Sequence, residues 1–263
     1  MKRIYFLSDA HLGAKTIDNP LEHERRLVRF LDSIKHDAKA VYLVGDMIDF
    51  WYEFKTVVPR GYTRFFGKIA ELTDNGVEVH WFTGNHDIWI FDYIPQELGV
   101  IVHRKPMIMN INGKKVFLAH GDGFGDDTLG YKLMSWTFRS KLCQRLFASI
   151  HPRWTVSLGS GLSKKSREGG KDVPNFLGED KEHLVCFAKE KLKTSHIDLF
   201  IFGHRHIMLD LMLSRDSRIL ILGDWIKLFS YAVMDGENIW LEQFEEEEAV
   251  RSTGLDGQVT ISW

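Results

Sequence analysis

The 263-residue chain contains only two cysteines, Cys143 and Cys186. Two cysteines cannot form a disulfide framework, and alone they cannot complete a zinc site, so a reducing cytosol is the expected setting. The N-terminal apolar run ends at Asp9 after about five residues, which is too short for the apolar region of a signal peptide. No apolar run approaches the ~18 residues of a membrane-spanning helix. We therefore expect a cytoplasmic protein.

Net charge is also nearly absent, with a formal value of -2. A chain this close to neutrality is not expected to bind nucleic acid in general. The fractions of hydrophobic residues (44%) and charged residues (27%) exclude a disordered chain. The length allows one large α/β domain or two small ones.

The small total charge conceals an uneven distribution. Residues 131–171 contain nine basic residues and one acidic residue, a net charge of +8, which leaves -10 for the rest of the chain. Apolar residues such as Leu133, Trp136 and Leu146 recur there with the spacing of one helix face. A basic amphipathic helix favours a membrane surface or an anionic amphiphile. The alternative is a helix that docks on the domain and exposes its other face to solvent.

Outside this segment, short apolar runs rich in β-formers alternate with stretches of helical periodicity. This alternation predicts an α/β fold, with hairpins at Asn112-Gly113 and Asp235-Gly236. The predicted helices are Glu22 to Ile34, Tyr62 to Leu72 and Glu179 to Lys193. The predicted buried strands are Ile4 to Leu7, Ala40 to Val44, Val77 to Phe82, Lys115 to Ala119 and Ile197 to Phe202.

A polar cluster follows each of these five strands. In chain order the clusters are Asp9-Ala10-His11, Gly45-Asp46-Met47-Ile48-Asp49, Gly84-Asn85-His86-Asp87, His120-Gly121-Asp122 and Gly203-His204-Arg205-His206. Loops at the carboxyl ends of strands converge on one crevice in α/β proteins, so the five clusters are expected to meet in space. Any one of them occurs by chance in loops, but five in succession do not.

The residue types in these clusters favour a metal centre. Asp, Asn and His supply oxygen and imidazole nitrogen without thiolate, a mixture that suits Mn²⁺, Fe or Zn²⁺. Two ions about 3.5–4 Å apart require a shared anionic ligand, and Asp46 at a strand end is suited to that role. The glycines that precede Asp46, Asn85 and His204 would permit close approach of the backbone.

Taken together, the five motifs resemble the signature of the calcineurin-like metallophosphoesterases. The resemblance implies a β-sandwich flanked by helices with two divalent metal ions above the strand ends. It also implies a ligand set with Asp46 shared between the ions, and outer roles for Asp49 and Asp87 that orient loops and histidines. The implied ligands are Asp9, His11, Asp46 and His206 for one ion, and Asp46, Asn85, His120 and His204 for the other.

The resemblance also implies a mechanism of phosphoester hydrolysis. Two divalent ions, with manganese preferred and iron or zinc as alternatives, supply hydroxide near neutral pH and offset charge on phosphoryl oxygens. His86, next to Asn85, is the candidate catalytic residue, which stabilises developing charge or protonates the leaving oxygen. No protein nucleophile is required.

About 55 residues after His120-Gly121-Asp122 exceed what a compact core needs, and such an excursion beside an active site is typical of a lid. This insert is similar to that of the UDP-2,3-diacylglucosamine pyrophosphohydrolases of lipid A biosynthesis. The similarity implies a lipid-linked nucleotide sugar as substrate, with UMP and 2,3-diacylglucosamine 1-phosphate as products. The candidate substrate-binding residues are Asp127, Tyr131, Lys164, Lys165, Ser166 and Arg167. One departure from the commoner family motif is His86, where many members have arginine.

We accordingly expect one metallophosphoesterase domain at residues 1–245, with a helical lid at about 125–178 and a tail at 246–263. The expected location is the cytoplasmic face of the inner membrane, with peripheral association. One alternative is a phosphoesterase of the same fold that acts on a soluble nucleotide, phosphodiester or phosphoprotein. The other is a non-catalytic scaffold, which would be expected to have lost metal ligands. The oligomeric state is left open.

Several other conspicuous residues are expected to have ordinary roles. His80 lies within a predicted strand and is interpreted as a core residue, and His103 as a surface or capping group. Trp51, Tyr52 and Phe54 follow the second polar cluster, where they belong either to the core or to a substrate wall.

Overall fold

The computed structural model describes residues 2–125, 129–155, 159, 161 and 175–245, with residues 129, 131 and 132 described by their backbone alone. The helices are α1 (Pro20–Ile34), α2 (Thr63–Asp74), α3 (Tyr93–Leu98), α4 (Leu129–Arg139), α5 (Lys141–Ala148) and α6 (His183–Leu192). The strands are β1 (Arg3–Leu7), β2 (Ala38–Val44), β3 (Glu78–Phe82), β4 (Ile101–His103), β5 (Met107–Ile111), β6 (Lys114–Leu118), β7 (Leu199–Phe202), β8 (Met208–Ser214), β9 (Ser217–Leu222), β10 (Ser230–Asp235) and β11 (Asn238–Gln243). The predicted strands, helices and both hairpins are confirmed, with shifts of a few residues at their ends.

Two mixed sheets pack face to face. The first has the order β11-β10-β1-β2-β3-β4 and the second the order β5-β6-β7-β9-β8. Apolar side chains between the sheets, such as Phe6, Val44 and Ile201, form a buried layer. Helices α1 to α3 cover the outer face of the first sheet, and α6 covers that of the second. The predicted β-sandwich flanked by helices is therefore confirmed.

Parallel pairing brings the ends of the strands that matter for function to one edge. β1, β2 and β3 are parallel neighbours, and β6 is parallel to β7. The carboxyl ends of these five strands consequently lie on the same side of the sandwich, as expected for strands that point one way. Among the described residues, no helix has the length and apolar character needed to cross a membrane.

A buried carboxylate positions helix α2. The residue before this helix, Tyr62, has a left-handed backbone and makes no capping hydrogen bond with its side chain. Instead Glu24 of α1 accepts hydrogen bonds from the backbone N–H groups of Arg64 and Phe65, at 2.9 and 3.1 Å. Because the first N–H groups of a helix have no partner within it, Glu24 replaces the missing cap and ties α1 to α2.

The insert departs from the single helix predicted for it. Its described part includes two successive helices, α4 and α5, which break at Ser140, whose hydroxyl accepts the N–H of Cys143 and caps α5. Phe138 and Phe147 pack on an aromatic cluster of the core, but other apolar side chains of the insert face solvent. Those more than 60% exposed are Leu133, Trp136, Leu142, Leu146 and Trp154.

Two of the seven histidines outside the polar clusters, His80 and His103, lie side by side. His80 is buried, as predicted. His103, predicted as a surface or capping group, is half-buried in β4, where it stacks on Phe82 with ring centroids 4.5 Å apart and its Nε2 lies 3.0 Å from Nδ1 of His80. Burial, together with the neighbouring His80, lowers the pKa of His103 to about 4, so this ring is neutral at pH 7.

The aromatic run after the second cluster divides between core and insert. Trp51 is fully buried in the main core, which decides for the core interpretation at that position. Tyr52 packs with Phe147 of α5, and its hydroxyl donates to the backbone carbonyl of Gln144 at 2.8 Å. Tyr52 therefore helps to hold the insert on the domain, whereas Trp51 belongs to the core.

Candidate metal centre

The five predicted polar clusters converge at the carboxyl ends of their strands. Among the described residues, three groups of side chains have ligand atoms within 4.8 Å of one another. The groups are Asp9, His11 and His206; His11, Asp46 and His86; and Asp46, His120 and His204. His11 and Asp46 each belong to two groups, so the three groups form one continuous centre.

The backbone at this centre adopts a conformation that side chains seldom tolerate. Among the described residues, eight that are not glycine have a positive φ, and five of the eight are candidate ligands. These five are Asp9, His11, Asp46, His204 and His206, with φ between 44° and 68°. Strained conformations of this kind persist only where the surrounding structure enforces them, and they concentrate at functional sites.

The glycines before the ligands make room for ligands from other strands. A Cβ atom on Gly84 would overlap the carboxylate of Asp46, and one on Gly203 would overlap that of Asp9. Gly45 is similarly close to the ring of His120. The predicted close approach of backbone to the site is therefore present, and it explains why these positions lack a side chain.

Each central carboxylate uses one oxygen for the backbone and directs the other into the centre. Asp46 Oδ1 accepts the N–H of His86 at 2.8 Å, whereas Oδ2 lies 3.1 Å from His120 Nε2 and 3.8 Å from His11 Nε2. Asp9 Oδ2 accepts the N–H of His204 at 2.9 Å, and its Oδ1 lies 3.5 Å from His206 Nε2. Asp46 is thus placed between the two halves of the centre.

Backbone carbonyls set the orientation of two of the imidazoles. Nδ1 of His120 lies 2.9 Å from the carbonyl oxygen of Val44, and Nδ1 of His86 lies 2.8 Å from that of Asp49. A carbonyl oxygen only accepts, so Nδ1 donates in both rings. Nε2 of each ring is then directed toward Asp46, which is the usual arrangement for a metal-binding histidine.

Buried polar atoms without partners mark where a ligand fits. Asp9 Oδ1, His11 Nε2, Asn85 Oδ1 and His120 Nε2 are inaccessible to solvent and have no hydrogen-bond partner. Leaving such atoms unpaired costs about 1–3 kcal/mol each, so a cation that accepts their lone pairs would stabilise them. An oxygen and nitrogen donor set of this composition suits Mn²⁺, Fe or Zn²⁺.

The electrostatics of the centre also favour cations. Burial raises the pKa of Asp9, but the neighbouring His206 and His11 outweigh it and the pKa falls to about 2. Burial lowers the pKa of His11, but Asp49 and Asp9 raise it to about 9. The buried carboxylates therefore favour positive charge at the centre, which a divalent ion would supply.

Two further carboxylates hold the loops that carry the candidate ligands. Asp87 accepts the N–H of Met47 at 3.0 Å, the N–H of Gly84 at 2.7 Å and the indole N–H of Trp81 at 3.0 Å. Asp49 Oδ1 lies 3.4 Å from His11 Nδ1. These contacts are those expected for residues that orient loops and neighbouring histidines.

Asp224 is a part of the centre that sequence reasoning missed. Its Oδ2 lies 3.3 Å from His206 Nδ1, and its Oδ1 accepts the backbone N–H groups of residues 226, 227 and 228. The sequence does contain a signal for this role, which is the position of Asp224 after a strand. Gly223-Asp224 directly follows β9, as Gly45-Asp46 follows β2. Arg205, between two candidate ligands, points away from the centre into a buried ion pair with Glu182 at 2.8 Å.

Among the predicted substrate-binding residues, only Tyr131 belongs to the described part of the chain. Tyr131 lies in α4, of which the backbone is described at that position. The others lie outside the described residues, and all remain predictions: Asp127, Lys164, Lys165, Ser166 and Arg167.

Comparison with known proteins identifies relatives that match most of the chain. The chain is 46% identical to a UDP-2,3-diacylglucosamine hydrolase of Porphyromonas gingivalis over 94% of its own length and 99% of the relative's. It is 28% identical to the protein of that name from Neisseria meningitidis, over 86% and 90% of the two chains. A crystal structure of Chaetomium thermophilum Vps29 aligns with 94% of this chain and 89% of its own, at a TM-score of 0.44 and 8% identity.

The profile of the calcineurin-like phosphoesterases matches residues 2–208, a range that contains all five polar clusters. With the extensive identity to its relatives, this match confirms the predicted resemblance: the chain belongs to the calcineurin-like phosphoesterase family.

Proposed function

We propose that this protein is a metal-dependent hydrolase that cleaves the diphosphate of UDP-2,3-diacylglucosamine in lipid A biosynthesis. The products are UMP and 2,3-diacylglucosamine 1-phosphate. The observation that carries the proposal is the buried centre of aspartate and histidine in a chain 46% identical to a hydrolase of that name. The exposed apolar and basic insert beside this centre favours a lipid-linked substrate over a soluble one.

The proposed ligands divide into two sets that share Asp46. The first set is completed by Asp9, His11 and His206. The second is completed by Asn85, His120 and His204. The position of Asp46 Oδ2 between His11 and His120 supports the sharing. Divalent ions bound there, with manganese preferred, would activate water and offset the charge of the phosphoryl oxygens.

His86 is the proposed catalytic residue. Its Nδ1 donates to the carbonyl of Asp49, and its Nε2 lies 4.0 Å from Asp46 Oδ2, at the inner side of the centre. Because Nδ1 already carries a proton, Nε2 would donate toward a phosphoryl oxygen or the leaving oxygen only in the imidazolium form of the ring. The hydrogen bond to Asp49 keeps the ring from turning, so Nε2 stays directed at the substrate.

The insert is proposed to bind the lipid part of the substrate at the membrane surface. Lys141 and Arg145 lie among exposed apolar residues of α5, a combination that suits an anionic lipid surface. This arrangement supports peripheral association with the cytoplasmic face of the inner membrane. The proposed contacts to the sugar and diphosphate are Asp127, Tyr131, Lys164, Lys165, Ser166 and Arg167.

Hydrolysis of UDP-2,3-diacylglucosamine tests the proposal directly. Protein freed of metal by a chelator should release no UMP, and addition of Mn²⁺ should restore release, as measured by chromatography. Bis(p-nitrophenyl) phosphate serves as a soluble comparison substrate. If the manganese-loaded protein turns over the soluble diester but not the lipid-linked nucleotide, the substrate assignment is wrong.

A further inference from the structure

A cleft of about 310 Å³ adjoins the candidate metal centre on the side of β6. His120 belongs to both, since it lines the cleft and its Nε2 lies 3.1 Å from Asp46 Oδ2. The rest of the wall comes from the ends of β3 and β6, the segment between β4 and β5, and one edge of α4. We call it the basic cleft. Its lining includes Thr83, His103, Arg104, Lys105, Asp122, Phe124, Ser135 and Arg139.

Charge in the basic cleft suits an anion. Three cationic side chains line it, Arg104, Lys105 and Arg139, against the single carboxylate of Asp122, which lies 3.7 Å from Arg139. Arg104 is held in place, because its guanidinium donates to the backbone carbonyls of Ile90 and Phe91. A positive cleft that opens beside a phosphate-cleaving centre would attract a phosphorylated group.

Helix α4 separates this cleft from the apolar side of the insert. Ser135 and Arg139, one turn apart, form the edge of α4 that lines the cleft, with Arg139 Nε 3.3 Å from the hydroxyl of Ser135. Phe138 instead packs on Trp89 in the aromatic cluster, with ring centroids 5.2 Å apart. No member of that cluster lines the cleft. The structure thus offers a polar and an apolar region on different sides of one helix.

We propose that the basic cleft binds the nucleoside monophosphate half of the substrate. The inference rests on the proposed function, which requires a substrate with a nucleotide at one end and acyl chains at the other. A volume of about 310 Å³ is at the lower end for ligand sites, so it accommodates a nucleotide rather than two acyl chains. The three cations of the cleft suit a phosphate group, and His103, neutral at pH 7, adds a polar ring rather than a fourth charge.

Binding of UMP to the manganese-loaded protein, measured by calorimetry, tests this proposal. The variant Lys105→Gln/Arg139→Gln removes two charges from the cleft and keeps side chains of similar length. We expect the Kd for UMP to rise about tenfold or more, because charge-assisted contacts to phosphate are lost. The matched control, Lys39→Gln/Arg215→Gln, removes two exposed charges at the opposite end of the strands and should shift the Kd less than about twofold.

Inorganic phosphate distinguishes the cleft from the metal centre. Its affinity should fall less than that of UMP in the cleft variant, since the centre alone can bind it. Unchanged UMP binding, or equal losses for UMP and phosphate, would overturn the proposal. Failure of the protein to hydrolyse UDP-2,3-diacylglucosamine would instead reject the proposed function, and the UMP titration would still decide whether the cleft binds a nucleotide.

Discussion

The metal centre and the insert are neighbours that are built in opposite ways. At the centre, Asp9, Asp46 and His120 are almost completely buried, and both carboxylates accept backbone hydrogen bonds from other strands. In the described part of the insert, Leu142 and Trp154 are 66% and 68% exposed. The insert is attached to the domain through aromatic packing and through side-chain hydrogen bonds from Tyr52 and Trp89 to its backbone.

This contrast shows how one domain separates chemistry from recognition. Ligand atoms must be held within a fraction of an ångström, so each is fixed by strand ends, strained backbone and outer hydrogen bonds. Contacts with acyl chains or a lipid surface are non-directional and need only apolar area. In the proposed function, the exposed apolar side chains of α4 and α5 would supply that area.

The largest expected effect comes from adding one methyl group at the centre. In Gly84→Ala the new Cβ would overlap the carboxylate and backbone N of Asp46, displacing the shared ligand. We expect manganese affinity and turnover to fall at least about 100-fold, since even outer partners of ligands contribute 10–100-fold. Metal content and UMP release measure both quantities.

Gly67→Ala is the matched control for that substitution. Gly67 lies inside α2, where a Cβ would meet nothing within 4 Å. Alanine should therefore stabilise the helix by about 1 kcal/mol and raise the Tm without altering metal binding. If Gly84→Ala binds manganese with wild-type affinity, the centre tolerates the added Cβ. The contrast between a rigid centre and an exposed insert would then be wrong.

A smaller effect is expected at Asp224. Asparagine there retains an oxygen that can accept the N–H groups of residues 226–228, but it removes the negative charge beside His206 Nδ1. Manganese affinity should fall about 10–100-fold, while the Tm of the metal-free protein changes little. Asp216→Asn, in the exposed turn before β9, is the control. Equal losses of affinity in both variants would exclude a positioning role for Asp224.

The smallest expected effect concerns the insert and membrane binding. Trp136→Gln/Leu146→Gln removes apolar area that is 64% and 61% exposed. Partition onto phosphatidylglycerol vesicles, measured by sedimentation, should weaken about tenfold, with manganese content unchanged. Ile108→Gln/Met212→Gln alters exposed apolar residues on the edge strands of the second sheet instead. If both variants weaken partition equally, the insert is not the membrane-binding surface.

The sequence predicted the centre better than its surroundings. The candidate ligands follow buried strands directly, so their meeting point could be inferred from strand direction alone. The role of Asp224 was missed because its partner, His206, is 18 residues away and their contact depends on the parallel pairing of β7 with β9. The ring contacts of His103 could not be inferred for a similar reason, since they form only when β4 adds to β3.

The insert shows the same limit. Its apolar spacing predicted one continuous helix, whereas the hydroxyl of Ser140 caps a second helix and turns the chain. Spacing did not reveal which apolar side chains would pack on Trp89 and which would face solvent, because that depends on where the two helices dock.

By itself the sequence determined the fold class, the family and the types of side chain at the strand ends, since alternating apolar runs and the residues after them are local features of the chain. Only the tertiary structure decided which oxygen of Asp46 faces His120 and which histidine nitrogens donate to carbonyls. It also decided that α4 lies between the basic cleft and the apolar side of the insert. These are contacts between segments tens of residues apart, and their geometry depends on strand register and helix docking rather than on local spacing.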